Sequence, residues 1–119
     1  MVVEDEVIIA MYLEQMLRGL GYQVVGRAAT PADAISKAAE AQPDVVMMDV
    51  RLRNGASGIP AAESIWRDMG IAVVFATAHT DEATLGELAR ASPFGFVHKP
   101  YDDHDVHDAL EKALSAKSE

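Results

Sequence analysis

The stretch from Pro43 to Leu52 reads PDVVMMDVRL, and it sets one carboxylate, Asp49, straight after the apolar run Val45, Val46, Met47 and Met48. A continuous apolar run of this length, opened by Pro43 and Asp44, reads as a strand buried on both faces. The last residue of such a strand sits at its carboxyl edge, where open α/β sheets place their ligand sites. The plain alternative is that Asp49 caps a loop, since Asp is a common turn residue. The rest of the chain repeats the pattern. Glu4 and Asp5 follow a short apolar run, Thr77 follows the run 71–76, and Lys99 and Pro100 follow the run 94–98. If these runs are parallel strands of one sheet, three carboxylates, a hydroxyl and an ammonium converge.

Three carboxylates cannot sit together unneutralised: at an effective dielectric near 20, each pair about 4 Å apart costs roughly 4 kcal/mol. They take up protons or hold a cation. An all-oxygen site open to water suits Mg²⁺, which keeps several waters and accepts a phosphate oxygen. A divalent ion and Lys99 together would favour a dianionic group on Asp49, which is the logic of phosphoryl transfer. A carboxylate can act as the nucleophile and form an aspartyl phosphate.

The elements that must position these groups alternate. Met1–Glu4 reads as a short strand. The stretch Glu6–Leu20 has Ile9, Leu13, Met16 and Leu20 at helical spacing, with Gly19 and Gly21 as a stop. Gln23–Arg27 reads as a second strand. Thr30, Pro31 and Asp33 make a helix start, with Thr30 as cap and Asp33 bonding back, and that helix is expected to run through Ala41. The third strand ends at Asp49. After the loop RLRNGASG a helix is expected over Gly58–Asp68 with Ser57 as cap, Pro60 falling in its first turn. Ile71–Ala76 is the fourth strand, Thr80–Ala91 the fourth helix with Asp81 and Glu82 at its positive end, Phe94–His98 the fifth strand and Asp103–Ala116 the last helix. Five strands alternating with five helices imply a parallel sheet covered on both sides, and right-handed crossovers make it a doubly wound three-layer sandwich. No G-x-G-x-x-G follows the first strand, which disfavours a dinucleotide site.

At 119 residues the chain is expected to be a single domain spanning 1–119, and half its residues are apolar. The net charge of −9 repels phosphate backbones and argues against direct nucleic-acid binding. No apolar run reaches membrane-spanning length, the acidic start MVVEDEV is unlike a signal peptide, and the absence of Cys suits a reducing cytoplasm.

The blocks V-E-D-E, M-M-D-V-R-L, F-A-T-A and V-H-K-P resemble the signature blocks of the receiver domain of two-component response regulators, over essentially the whole chain. The resemblance implies a flavodoxin-like (βα)5 fold with strand order 2-1-3-4-5. It makes Asp49 the phosphoacceptor, and Asp5 and Asp49 direct Mg²⁺ ligands, with Glu4 acting through a water and the backbone carbonyl of Arg51 completing the set. It makes Thr77 the switch hydroxyl, Lys99 the phosphate-binding lysine and Phe96 the switch aromatic, with a cis Lys99–Pro100 bond. The phosphodonor it implies is a phosphohistidine on a sensor kinase or a phosphotransfer protein. The output would pass through the fourth helix, fifth strand and fifth helix to a downstream protein, a fused output domain or a second copy in a homodimer. No output domain follows Glu119, so a stand-alone receiver and a piece of a longer regulator both stay open. The loop after Asp49 departs from the family: it reads one residue longer, with Asn54–Gly55 as a turn signal and Ser57 where Asp is usual.

A bond from Thr77 to a phosphorylated Asp49 is worth roughly 1.5–3 kcal/mol. Drawing Thr77 inward would open space into which Phe96 can turn, and Phe carries no hydroxyl to strand. Three further residues modulate this picture. The Arg51 side chain can reach over the phosphate or stay solvated. His79 can influence attacking water or be a plain loop residue. The small Ala78 would leave the acceptor open to a bulky donor, or is a packing choice. His104 and His107 share a helix face without a third ligand, which favours solvation over metal. Trp66 and the methionines read as core or groove filler.

Two other functions compete. A haloacid-dehalogenase-like phosphatase also combines Asp, Thr, Lys and Mg²⁺, but needs a second acid two residues after the nucleophile, where this chain has Arg51. A receiver-like scaffold that works without phosphorylation would not need Asp5, Asp49, Thr77 and Lys99 together.

Overall fold

The computed structural model describes residues 1–52, 55–78, 81–91 and 94–117. Five strands, β1 (Val2–Val3), β2 (Arg27–Ala28), β3 (Val45–Asp49), β4 (Ala72–Thr77) and β5 (Phe96–His98), alternate with five helices, α1 (Val7–Gly19), α2 (Pro31–Ala41), α3 (Ile59–Met69), α4 (Glu82–Ala91) and α5 (Asp103–Lys117). All strand pairs are parallel and the order is β2-β1-β3-β4-β5, as the resemblance implied. None of the helices among the described residues is long and apolar enough to cross a membrane.

The sheet separates two cores. On one face Val46, Met48, Val73 and Phe75 pack under α2, α3 and α4 through Ala34, Ala38, Ala61, Ala62, Ile65 and Leu88. On the other Val2, Met47, Val74, Ala76 and Val97 pack under α1 and α5 through Ala10, Leu13, Leu17, Val106 and Leu110. β3 and β4, central in the order, are buried on both faces, which is why their sequences are continuous apolar runs rather than alternating ones.

Helix ends follow local chemistry. Thr30 Oγ1 accepts from Asp33 N at 3.1 Å, and Pro31 occupies the first turn of α2. The Asp33 carboxylate lies 3.2 Å from Lys37 Nζ. Asp102 and Asp105 cap α5 reciprocally, each carboxylate accepting from the other's backbone N–H, at 2.8 and 3.2 Å. Gly70 ends α3 in the left-handed region at φ 69°, where a Cβ is unfavourable.

Some expectations shift. β2 spans Arg27–Ala28 and not Gln23–Arg27, pairing with β1 as Val2↔Arg27 and Val3↔Ala28. The buried stripe of α1 is Ala10, Leu13, Glu14 and Leu17; of the expected residues Leu13 belongs to it and Met16 and Leu20 pack against the core partly buried, whereas Ile9 is exposed. Glu14 can lie in that stripe because Arg27 binds it through two guanidinium nitrogens. α3 starts at Ile59, and Ser57 Oγ accepts from Ile59 N at 3.1 Å although the capping position itself falls on Gly58. Trp66 packs edge-on against Phe94 with ring centroids 4.7 Å apart. Met47 and Met48 are buried, whereas Met11 is exposed. Asn54, His79 and the Thr80 helix start lie outside the described residues.

Candidate functional site

The carboxyl edge of the sheet gathers the groups that the strand ends supply. β1 runs into Glu4 and Asp5, β3 ends on Asp49, β4 ends on Thr77, and Lys99 follows β5. Each of the three acids Glu4, Asp5 and Asp49 offers a carboxylate oxygen within 4.8 Å of the others. Among the described residues this is the one group of three or more such side chains so arranged, and His104 and His107 form none. Lys99 Nζ donates to Asp49 Oδ2 at 2.9 Å and stands 3.8 Å from Glu4 Oε2. Lys99 is held in turn by its backbone N–H, which donates to the Thr77 carbonyl at 2.8 Å, and by the cis Lys99–Pro100 bond that follows it.

The remaining oxygens have backbone partners. Asp49 Oδ1 accepts from Arg51 N at 3.2 Å, and Glu4 Oε1 accepts from Glu6 N at 3.2 Å, just ahead of α1. The start of α1 adds the positive end of its dipole to the same place. The three acids are still in excess over the one ammonium. Glu4 is 6% exposed, and its carboxyl is pushed up to about 7, first by burial, then by the hydrogen bond and charge of Asp49. Three carboxylates within reach of one another, facing a single ammonium, make an all-oxygen, acid-rich donor set of the kind a hard divalent ion takes. The donor set therefore fits Mg²⁺.

The loop beyond Asp49 folds back on itself. Arg51 and Ser57 form an antiparallel bridge, Leu52 N donates to Ala56 O at 2.7 Å, and Gly58 N donates to Val50 O at 2.8 Å. Gly58 is a site residue that the sequence reading missed. A Cβ there would stand 2.5 Å from the Asp49 carbonyl oxygen and 2.9 Å from the Met48 side chain. The signal was a glycine at the turn into a helix within ten residues of Asp49, and its role depends on a close approach that no sequence pattern records. The Arg51 side chain is exposed.

Thr77 is 1% exposed and Phe96 38% exposed. Beside the acids, Ile9, Tyr12, Ala78, Lys99, Pro100 and Tyr101 line a mainly apolar cavity of about 470 Å³. Burial, then the charges of Glu4 and Asp49, push the Tyr101 phenol up to about 12, so it stands beside the acids as a neutral group. Ile9 and Tyr101 were also missed. On the adjoining surface of α1, Val7, Ile8, Met11 and Tyr12 are exposed, Ile8 to 82%. The signal was available: the first turns of α1 are apolar nearly all round, more than one buried stripe can use.

The chain matches the family model for the response regulator receiver domain over residues 1–111. It is 33% identical over 115 residues to the Phyllosphere-induced regulator PhyR of Methylorubrum extorquens, covering 96% of this chain and 42% of that protein. It is 29% identical over 113 residues to the chemotaxis protein CheY of Thermotoga maritima, covering 94% and 93%. The crystal structure of the response regulator PhyR from Brucella abortus superposes with a TM-score of 0.84 at 37% identity, covering 98% of this chain and 47% of that one. The chain thus spans about half the length, or less, of the PhyR proteins it matches.

Proposed function

Because the chain belongs to the response regulator receiver domain family, we propose that it accepts a phosphoryl group from a phosphohistidine onto Asp49 and signals the change through α4, β5 and α5. The single observation that carries this reading is the contact of Lys99 Nζ with Asp49 Oδ2 at 2.9 Å inside a cluster of three acids. In the step itself an Asp49 carboxylate oxygen forms the new bond to phosphorus. The phosphorus–nitrogen bond of the donor breaks, and its electron pair stays on the imidazole. Lys99 neutralises the arriving phosphoryl oxygens, and the Arg51 backbone N–H holds the Asp49 carboxylate in place.

Asp5, Asp49, the Arg51 carbonyl and, through water, Glu4 would hold Mg²⁺. The ion supplies positive charge for the phosphoryl oxygens. Thr77 is the hydroxyl that turns toward the phosphoryl group, and Phe96 is the aromatic that follows it inward. Arg51, Ala78 and His79 tune access and the lifetime of the acyl phosphate. Beyond slow self-catalysed phosphorylation and dephosphorylation the domain carries no catalytic turnover: Arg51 occupies the position where a phosphatase needs its second acid.

The donor is a histidine kinase or a histidine phosphotransfer protein in the cytoplasm. The exposed apolar surface of Val7, Ile8, Met11 and Tyr12 borders the cavity beside Asp49, and it suits a helix of the donor protein. The direct experiment is incubation with Mg²⁺ and acetyl phosphate. The expected product is an acid-stable, base-labile phosphoryl adduct that maps to Asp49 and is lost in Asp49→Asn. No adduct, either from acetyl phosphate or from any histidine kinase, would overturn the assignment.

A further inference from the structure

The acids and Lys99 account for the charge at the carboxyl edge of the sheet, but not for the apolar wall beside them. The cavity of about 470 Å³ is built from three separate parts of the fold. Ile9 and Tyr12 come from α1, Ala78 is the residue after β4, and Lys99, Pro100 and Tyr101 follow β5. Lys99 belongs both to this wall and to the contact with Asp49 Oδ2, so the cavity adjoins Asp49. Tyr101 ties the two together: its phenol lies close enough to Glu4 and Asp49, and to Tyr12 within the wall, to respond to the charge of each.

A phosphoryl group has no use for such a wall, because its oxygens take cations and N–H donors. The part of a phosphodonor that can use it is the group that leaves. Attack and departure are roughly in line at phosphorus, so a group displaced by Asp49 departs on the side away from that carboxylate. On that outer side Ala78 is exposed and offers only a methyl group, and a longer side chain there would take up part of the space it lines. The cavity volume falls within the range of small-molecule pockets, about 300–1,000 Å³. Its polar groups are the Lys99 ammonium and two phenols, and the rest of the lining suits hydrocarbon.

We propose that the site accepts acyl phosphates with a short unbranched hydrocarbon tail in preference to acetyl phosphate, the tail lying among Ile9, Tyr12, Ala78, Pro100 and Tyr101. In the step an Asp49 carboxylate oxygen bonds to phosphorus. The bond from phosphorus to the acyl oxygen breaks, its electron pair stays on that oxygen, and the tailed carboxylate leaves. No proton has to move. Each methylene that is fully buried is worth about fourfold. Hexanoyl phosphate exceeds acetyl phosphate by four methylenes, and covering about half of their surface gives about tenfold or more in rate at low donor concentration. This inference rests on the reading of Asp49 as the phosphoacceptor.

The test compares acetyl phosphate with hexanoyl phosphate on the full chain with Mg²⁺, reading the Asp49 adduct by intact mass. Straight-chain acids differ little in acidity, so the two leaving groups are alike in intrinsic reactivity. The expected rate ratio is about ten in favour of hexanoyl phosphate. Ala78→Leu, which fills the cavity, and Ile9→Gln, which sets an amide in it, should each bring the ratio toward one. In the chain without metal, hexanamide should shift the amide NMR signals of Ala78 and Tyr101, and acetamide should not. Equal rates for the two donors, a ratio unmoved in both variants, or no shift with hexanamide would overturn the inference while leaving Asp49 as the acceptor. A cavity that receives only a side chain of a donor protein would give equal rates with the two acyl phosphates, while both variants slow transfer from a histidine phosphotransfer protein; that result overturns it too. No adduct from either acyl phosphate would overturn the phosphoacceptor reading and this inference with it.

Discussion

Thr77 and Phe96 stand on the same face of the sheet. The β4–β5 ladder pairs Phe96 with Phe75, and Thr77 lies two residues beyond Phe75, so all three side chains look toward the layer of α2, α3 and α4. A movement of the Thr77 hydroxyl toward Asp49 therefore frees volume on the side where Phe96 is. In the switch proposed above, the partly exposed Phe96 would be the outward arm.

The first prediction concerns that arm. With Mg²⁺ and a phosphoryl mimic such as beryllofluoride on Asp49, Phe96 turns inward and loses most of its exposure. Fluorine NMR of a fluorophenylalanine-labelled chain, or a crystal structure of the complex, reads the change. Thr77→Ala should leave Phe96 outward under the same conditions. A ring that stays exposed in the activated wild type would rule out the switch.

A second prediction follows from Glu4. Its carboxyl lies at about 7 in the folded protein against 4.5 ordinarily. Between those values the folded state holds a proton that the unfolded chain has released. Stability is then highest, as far as Glu4 is concerned, below the lower value, and it falls as pH rises through the upper one. Urea titrations across this range should show the decline, and Glu4→Gln should flatten it. Mg²⁺ should raise Tm more on the alkaline side, where the cluster is ionised, than on the acid side. An equal Mg²⁺ effect on both sides would separate the ion from Glu4.

Gly58 gives a third. Gly58→Ala forces a methyl group against the Asp49 carbonyl and Met48, and overpacking of this kind costs about 1–3 kcal/mol. Urea unfolding measures the loss. Because the crowded atom belongs to Asp49, phosphorylation by acetyl phosphate should slow as well, beyond what a matched substitution far from the edge produces.

The fourth is structural. Glu14 is buried with Arg27 as its guanidinium partner, and Arg27 holds its carboxyl below the ordinary range. Arg27→Ala removes the guanidinium partner of Glu14 and should lower stability in urea unfolding. Adding Glu14→Gln should recover part of it. Full additivity of the two substitutions would show that the pair does not act as a unit.

Much of the site was legible because each of its groups follows an apolar run. Asp49, Thr77 and Lys99 are marked by a change from buried strand to polar residue, and parallel strands turn that local mark into a common edge. What stayed hidden depends on partners distant in sequence. The extent of β2 is set by its pairing with β1, not by the propensity of 23–27. The stripe of α1 could not be read from Ile9, because the burial of Glu14 depends on Arg27. Gly58 matters through the position of one carbonyl oxygen. Lys99 fits its carbonyl and carboxylate partners only because strands β3, β4 and β5 lie side by side.

The edge-on packing of Trp66 against Phe94 has an optical consequence. The chain has one Trp, so its fluorescence comes from a single known position on α3. Its ring partner lies two residues before Phe96 on the segment that leads into β5. Intrinsic emission, followed by stopped flow, can then time the response of this segment to the proposed phosphoryl transfer without any attached dye.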